Sequence, residues 1–237
     1  MTGGKPITGQ FWRYALPSMF SQLLNSFFII VDGFFVGQNL GDAGLAAINV
    51  AWPLVAVIQA ASLAIGTGGA VRLATALGRG EEEEALRVRG NTLVLLGLAA
   101  ALLGGGLYLG YPYLLPLMGA NAELYPLAAE YCRVVCVLAA CQVATTGMLP
   151  LVRGSGRAVA AMWVMVLGLL GNIGLDWLFI HQFQWGLAGA AFATALAQGL
   201  CAAAAAPVLL CHRGRPVRAA QFRIQWGRVR GILHYGI

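Results

Sequence analysis

Six long apolar segments constrain the fold of this chain more than any other feature of its sequence. Approximately, they run over Tyr14–Gly37, Ala51–Val71, Asn91–Tyr111, Cys132–Val152, Ala158–Ile180 and Leu187–Cys211. A helix needs roughly 20 apolar residues to cross the hydrocarbon core of a bilayer, and each segment reaches that length. We therefore predict an all-α membrane protein, built as a bundle of six transmembrane helices.

The composition excludes a soluble domain. Of the 237 residues, 59% are hydrophobic and only 10% are charged, whereas a soluble domain carries about 25% charged residues. Glycine and alanine are plentiful within the apolar segments, and small residues let helices approach closely in lipid. The first segment is too long for a cleavable signal peptide, so we expect it to be retained as a helix.

The basic residues are divided unequally between the two sides of this predicted bundle. Fourteen of the fifteen Lys and Arg residues precede the first segment, follow the sixth, or lie in the connections after the second and fourth segments. The opposite connections, near Asn39–Gly44, Pro112–Tyr131 and His181–Gly186, contain none, and Arg133 alone sits at the outer end of a segment. By the positive-inside rule both termini are cytoplasmic. We expect a multi-pass protein of a prokaryotic plasma (inner) membrane, with the lipid bilayer as a partner and no nucleic acid.

Two of the nine acidic residues, Asp32 and Asp176, lie inside the apolar segments. A charge at the bilayer centre costs roughly 2.5–3.5 kcal/mol on insertion scales, so residues kept there usually serve a function. The structural alternative is that each acid only pairs with another helix. Neither has an obvious buried cation, so each carboxylate is expected to bind a proton or a small cation such as sodium.

The sequence positions of the two acids predict a shared site. Asp32 is nineteen residues past Arg13, and Asp176 is four residues before the outer end of the fifth segment, which places both in the outer half of the bundle. Asn172 is one helical turn before Asp176, on the same face. We therefore expect one outer-half cavity in which both carboxylates and the Asn172 amide surround an ion.

No motif indicates an enzyme. The sequence has no nucleophile–base pair, no phosphate-binding glycine loop with a lysine and no set of metal ligands, and its three histidines are dispersed at membrane edges. The acidic run Glu81–Glu84 predicts the start of a short, solvated cytoplasmic helix, in which Glu83 pairs with Arg87. Pro17 and Pro53 lie within the first two segments, where they can bend a helix.

Five motifs resemble, in order, those of the multidrug and toxin extrusion (MATE) family. They are YALP at Tyr14–Pro17, VDGFFVG at Val31–Gly37, RGSGR at Arg153–Arg157, NIGLDWLFI at Asn172–Ile180 and GLAGAAFAT at Gly186–Thr194. The third motif lacks the usual proline. The resemblance implies an antiporter that exchanges sodium or protons for organic cations, with no cofactor other than the coupling ion.

The resemblance also implies roles for individual residues. Carried over by motif position, the site for a proton or sodium comprises Asp32, Asn172, Asp176 and Thr194, with Tyr131 as a further member. Pro17 would be the bend of the first helix that responds to protonation. A metal other than sodium is not expected, and any sodium would lie at Asp32, Asn172 and Asp176.

The chain departs from the family in its length. The family has two homologous six-helix lobes, so residues 1–212 correspond to the first lobe and residues 213–237 to a basic cytoplasmic linker and the start of a truncated seventh helix. Tyr235-Gly236-Ile237 echoes Tyr14-Ala15-Leu16, which suggests a fragment, a split gene product or an isolated lobe. A C-terminal lobe or a second copy would then complete the transporter.

Two alternatives remain open. One is a lobe of a lipid-linked saccharide flippase, although the Asn172 and Asp176 pair argues against it, because a flippase cavity is expected to carry more cationic residues. The other is a non-transporting, truncated membrane protein. The sequence does not decide between sodium and protons.

Overall fold

The first helix of the fold contains a sharp reversal at a single glycine. The computed structural model describes residues 7–212, 215–216 and 219–236, so Lys5, Arg213, Arg218 and Ile237, which carry part of the predicted topology, lie outside it. Helix α1 is Ile7–Gly78, and inside it Gly41 has φ 64° and ψ −161°. Glycine lacks a Cβ and adopts a positive φ without steric cost.

The position of the two parts of α1 shows that the chain turns back at Gly41. Ser21 and Leu63 line the same cavity, although they would lie about 60 Å apart on one straight helix. Residues 7–40 form a first arm and residues 42–78 a second arm, and each is long enough to cross a bilayer. The two arms correspond to the first two predicted segments, and the expected loop between them is reduced to one residue.

The remaining elements complete the bundle. They are α2 Glu82–Leu117, α3 Leu124–Val137, α4 Ala139–Gly154, α5 Ala158–Asp176, a π-helical turn Trp177–Gln182, α6 Gly186–Leu210, β1 Cys211–His212, β2 Arg215–Pro216, a 3₁₀ turn Ala219–Phe222 and α7 Trp226–Gly236. The two strands pair as a short antiparallel bridge.

Counted as unbroken helices within the described residues, four are long and apolar enough to cross a membrane. Helices α3 and α4 meet at Leu138 with a bend of 59°, and together they make a fifth crossing. The reversal at Gly41 divides α1 into two crossings, which gives the six predicted spans. The all-α, six-helix membrane bundle is therefore confirmed.

One detail differs from the predictions. Helix α2 begins at Glu82 and continues through the third apolar segment, so the acidic run opens this long helix rather than forming a separate short one. Its side chains still suit the positive end of the helix dipole, and Arg87 Nε donates to Glu83 Oε1 at 3.1 Å as predicted. The outer segment before the fourth span is helical from Leu124, whose backbone N–H donates to Asn121 Oδ1 at 2.8 Å.

Small residues allow the helices to pack closely around the centre of the lobe. A Cβ added to Gly66 in the second arm would lie 2.5 Å from the Gly147 carbonyl oxygen of α4, so only glycine fits at that crossing. Buried apolar side chains form two clusters, one around Ile58, Leu73 and Leu151 and the other around Val36, Leu54 and Leu187. The helices are thus held at fixed positions around the cavity described next.

Candidate functional site

A cavity of about 450 Å³ lies between the two arms of α1 and helices α3 to α6. Polar side chains contributed by different helices reach it, namely Asn25, Asp32, Gln59, Gln142, Thr145 and Gln198. Their spacing follows helix geometry, because residues three or four apart share a face. In the first arm, Ser21, Asn25, Ile29 and Asp32 make one such face. The polar stripe of the first apolar segment is therefore the inner face of its helix.

Asp32 and Thr194 connect the first arm of α1 to α6. Thr194 Oγ1 donates a hydrogen bond to Asp32 Oδ1 at 3.2 Å, and both side chains line the cavity. Tyr131 of α3 lines it as well, is only 6% exposed, and lies within the electrostatic reach of Asp32. Three of the five predicted cation-site residues thus meet at one end of the cavity.

Asn172 and Asp176 are on α5, one turn apart, and both are completely buried. Within the described part of the chain, neither the two carboxylate oxygens of Asp176 nor the amide atoms of Asn172 have a hydrogen-bond partner. A buried polar group without a partner costs about 1–3 kcal/mol, and more when it is charged. The chain tolerates this cost at both residues of the pair.

The two groups of predicted residues are neighbours, but they do not line one common cavity. On α5, Met165 and Gly168 face the cavity, and Asn172 and Asp176 continue that helix face toward the C-terminal end of α5, where packing closes over them. The Asp32 and Asp176 carboxylates interact electrostatically across the gap. The arrangement is a half-buried acid on the cavity surface with a second, enclosed acid behind it.

The oxygen atoms at this end suit a proton or a hard cation. Carboxylate and amide oxygens are the ligands that hard cations prefer, whereas softer transition metals favour nitrogen and sulfur. Across residues 7–212, 215–216 and 219–236, no three His, Cys, Asp or Glu side chains come together as a metal cluster. The carboxylate oxygens at this end can bind a small cation or accept a proton.

Pro17 lies in the first arm, four residues before Ser21. The Ser21 hydroxyl donates to the Pro17 carbonyl at 2.8 Å, and the one non-helical residue inside α1 is Gly41 rather than Pro17. The expected role of Pro17 as a responsive bend stays a prediction.

Sequence reasoning gave too little weight to the opposite end of the cavity. Arg153, which the sequence did not assign to the site, lines that end. Gln142, Thr145, Leu149 and Arg153 lie three or four residues apart, so the signal was present as a helix face that ends in a cation. Thr145 also donates its hydroxyl proton to the Gln198 carbonyl, which joins α4 to α6 along this surface.

Comparisons with known proteins give a consistent set of similarities. A family model described as MatE matches residues 17–178. A probable multidrug resistance protein of Bacillus subtilis, YoeA, is 26% identical over 196 residues, which cover 78% of this chain and 42% of YoeA. The FAD transporter of Shewanella oneidensis is 27% identical over 243 residues, which cover 96% of this chain and 52% of that protein.

Solved structures share the fold over nearly the whole chain. A crystal structure of MATE in the bent conformation superposes with a TM-score of 0.87 at 29% identity, and the match covers 96% of this chain and 51% of that one. The chain therefore spans about half the length of the relatives that it matches.

Proposed function

Since this chain belongs to the MatE (multidrug and toxin extrusion) family, we propose that it forms one lobe of a secondary active antiporter that exports organic cations or drugs in exchange for protons or sodium. It is a multi-pass membrane protein, and its relatives include transporters. We place it in the plasma (inner) membrane of a prokaryote with both termini cytoplasmic, because fourteen of its fifteen Lys and Arg residues fall on one side.

The observation that carries this proposal is the enclosed pair Asn172 and Asp176. Their polar atoms are buried without protein partners among the described residues, and a proton or sodium ion supplies the missing interaction. Intramembrane acids that face a bundle interior commonly form ion pathways. Apart from the organic substrate, the proposed exchange needs no cofactor other than the coupling ion.

The proximity of Asp32 to Asp176 lets the coupling ion and the organic cation compete for binding. An organic cation in the cavity is attracted by Asp32, and the charge of Asp176 adds to that attraction because the two carboxylates interact. A proton or sodium ion at Asp176 removes this contribution and weakens binding of the organic cation. Such coupling is reciprocal and typically amounts to 5–150-fold in affinity.

Transport requires a second half. In transporters built from two related halves, one half rocks against the other around a central site. We propose that a C-terminal lobe, or a second copy of this chain, closes the cavity and alternates its access between the two sides of the membrane.

The proposal is tested by competition on the purified 237-residue chain. Rhodamine 6G, an organic cation, is titrated by fluorescence polarisation over a range of sodium concentrations and pH values. We expect sodium or protons to weaken dye binding to the native chain. Asp176→Asn should bind the dye and lose this dependence on the ion, whereas Asp32→Asn should bind the dye more weakly.

Asp42→Asn is the matched control, because Asp42 is an exposed acid outside the cavity. It should behave like the native chain. Dye binding by Asp176→Asn that keeps the full sodium or proton dependence would contradict the proposed coupling.

A further inference from the structure

The cytoplasmic end of the cavity carries an arginine whose charge has no partner within the described part of the chain. Arg153 is in the last turn of α4, is half-buried and lines the cavity. Among the residues that the structure describes, no acid or carbonyl accepts a hydrogen bond from its guanidinium group. A positive charge near the C-terminus of a helix is favourable, but a fully solvated arginine would have the same interaction. This preference therefore does not explain why Arg153 faces the cavity.

Two arginines near the same end of the lobe have structural roles, in contrast to Arg153. Arg89 Nη1 donates to the Leu209 carbonyl at 2.8 Å, and Arg157 Nη1 donates to the Val208 carbonyl at 3.1 Å. Both arginines therefore cap the end of α6. Arg153 caps no such carbonyl and faces the cavity instead.

Arg153 lies far from the acidic end of the cavity. Arg153 is 22 residues beyond Tyr131 along α3 and α4, which corresponds to about 30 Å once the bend at Leu138 is included. Tyr131 and Asp32 line the same cavity and are within electrostatic reach of each other. A dye-sized molecule therefore occupies one end of the cavity at a time, and the hydroxyl and amide side chains of α4 line the path between the ends.

We propose that Arg153 is an anion subsite, through which this lobe binds organic substrates that carry an oxyanion such as a carboxylate. This inference rests on the proposed function and adds a substrate class to it. A guanidinium group presents paired N–H donors that match a carboxylate, and the interaction is stronger away from bulk water. The cavity is thus acidic at its outer end and basic at its cytoplasmic end.

A pair of dyes isolates the charge in question. Rhodamine 6G and rhodamine 19 share one cationic ring system, and the ethyl ester of the first is a free carboxylate in the second. Binding of each dye to the purified 237-residue chain is measured by fluorescence polarisation. Arg153→Gln should weaken rhodamine 19 binding about ten-fold, and it should leave rhodamine 6G binding within about two-fold, because only rhodamine 19 has a carboxylate that loses a charge-assisted hydrogen bond.

Two further variants control for charge and for folding. Arg153→Lys should keep much of the rhodamine 19 affinity, because the positive charge remains. Arg87→Gln removes a cytoplasmic arginine that pairs with Glu83 at the surface, and it should change the binding of neither dye. Rhodamine 6G binding shows in each case that the cavity is intact.

The outcomes separate the two proposals. If the native chain and Arg153→Gln bind rhodamine 19 equally well, or if Arg153→Gln weakens both dyes alike, the anion subsite is refuted while the antiporter lobe stands. If the native chain binds neither dye, the proposed function fails and the subsite fails with it.

Discussion

Two buried asparagines of this lobe lie in opposite environments. Asn172 has no hydrogen-bond partner within the described residues. Asn91 is 1% exposed, its Nδ2 donates to the carbonyls of Arg87 and Arg223 at 2.9 and 3.1 Å, and its Oδ1 accepts from the Gln225 backbone N–H at 2.9 Å. The same residue type therefore organises the structure at one position and carries a cost of burial at the other.

This contrast predicts stability changes of opposite sign. Asn172→Leu, which keeps the number and branching of the side-chain heavy atoms, should stabilise the chain by about 1 kcal/mol in sodium-free buffer, because it removes an unpaired buried amide. Asn91→Leu should destabilise it by about 1–3 kcal/mol, because it leaves backbone groups of the connection unpaired. Thermal unfolding followed by tryptophan fluorescence measures both changes. Destabilisation of similar size by both variants would show that Asn172 has protein partners after all.

At the scale of elements, a cluster of charges fixes α7 to the rest of the lobe. Arg228 donates to Glu84 from Nε at 2.9 Å and from Nη2 at 2.6 Å, and Arg72 Nη1 donates to the Arg228 carbonyl at 3.2 Å. Below this cluster Ile232 is fully buried, and a side chain on Gly68 would overlap its carbonyl. The start of α7 is thus joined to the second arm of α1 and to α2 by both charge and close packing.

Neighbouring glutamates test this junction. Glu84→Gln should speed hydrogen exchange of the α7 amides about ten-fold, because it weakens a two-point, partly buried ion pair. Glu83→Gln breaks the exposed ion pair between Glu83 and Arg87, which are one helical turn apart. Such a pair contributes only about 0.3–0.5 kcal/mol, so the α7 amides should exchange as in the native chain. Equal exchange rates in the two variants would mean that packing alone holds α7.

The sequence predicted elements better than the way in which they join. The six spans and the Glu83–Arg87 pair follow from apolar length and from residue spacing. The bend at Leu138 does not, since it occurs at a leucine while Pro150 lies within unbroken α4. The burial of Asp176 behind the cavity depends on the rotation of α5 against its neighbours. Helical periodicity predicts which residues share a face with Asp176, but it does not predict how deeply that face is buried.

At the scale of the whole molecule, the lobe presents a continuous apolar surface on the first arm of α1. Phe20, Leu23, Phe27, Ile30 and Phe34 are all more than half exposed, and they repeat every three or four residues on one face. Either lipid or a second lobe can cover such a face. In the proposed transport cycle the second lobe closes the cavity. It therefore lies close to the first arm, because Asn25 and Asp32 on the opposite side of this arm line the cavity.

The coupled function is measured in a complete transporter. When this lobe is joined to a complementary C-terminal lobe, Asp176→Asn should abolish dye efflux driven by a sodium or proton gradient, because the enclosed site can no longer exchange its ion. Efflux from loaded proteoliposomes gives the rate, and the exposed-acid variant Asp42→Asn should retain it. Undiminished gradient-driven efflux by Asp176→Asn would exclude Asp176 as the coupling residue.

The one-residue turn at Gly41 has a mechanical consequence. Because a single residue joins the two arms, their ends at Gly41 stay together. Any separation of the arms is therefore greatest at the ends far from Gly41. Those far ends flank the half of the cavity that contains Arg153. A spreading motion of this hairpin would therefore widen the end of the cavity that contains Arg153 while leaving the end that contains Asp32 the same width.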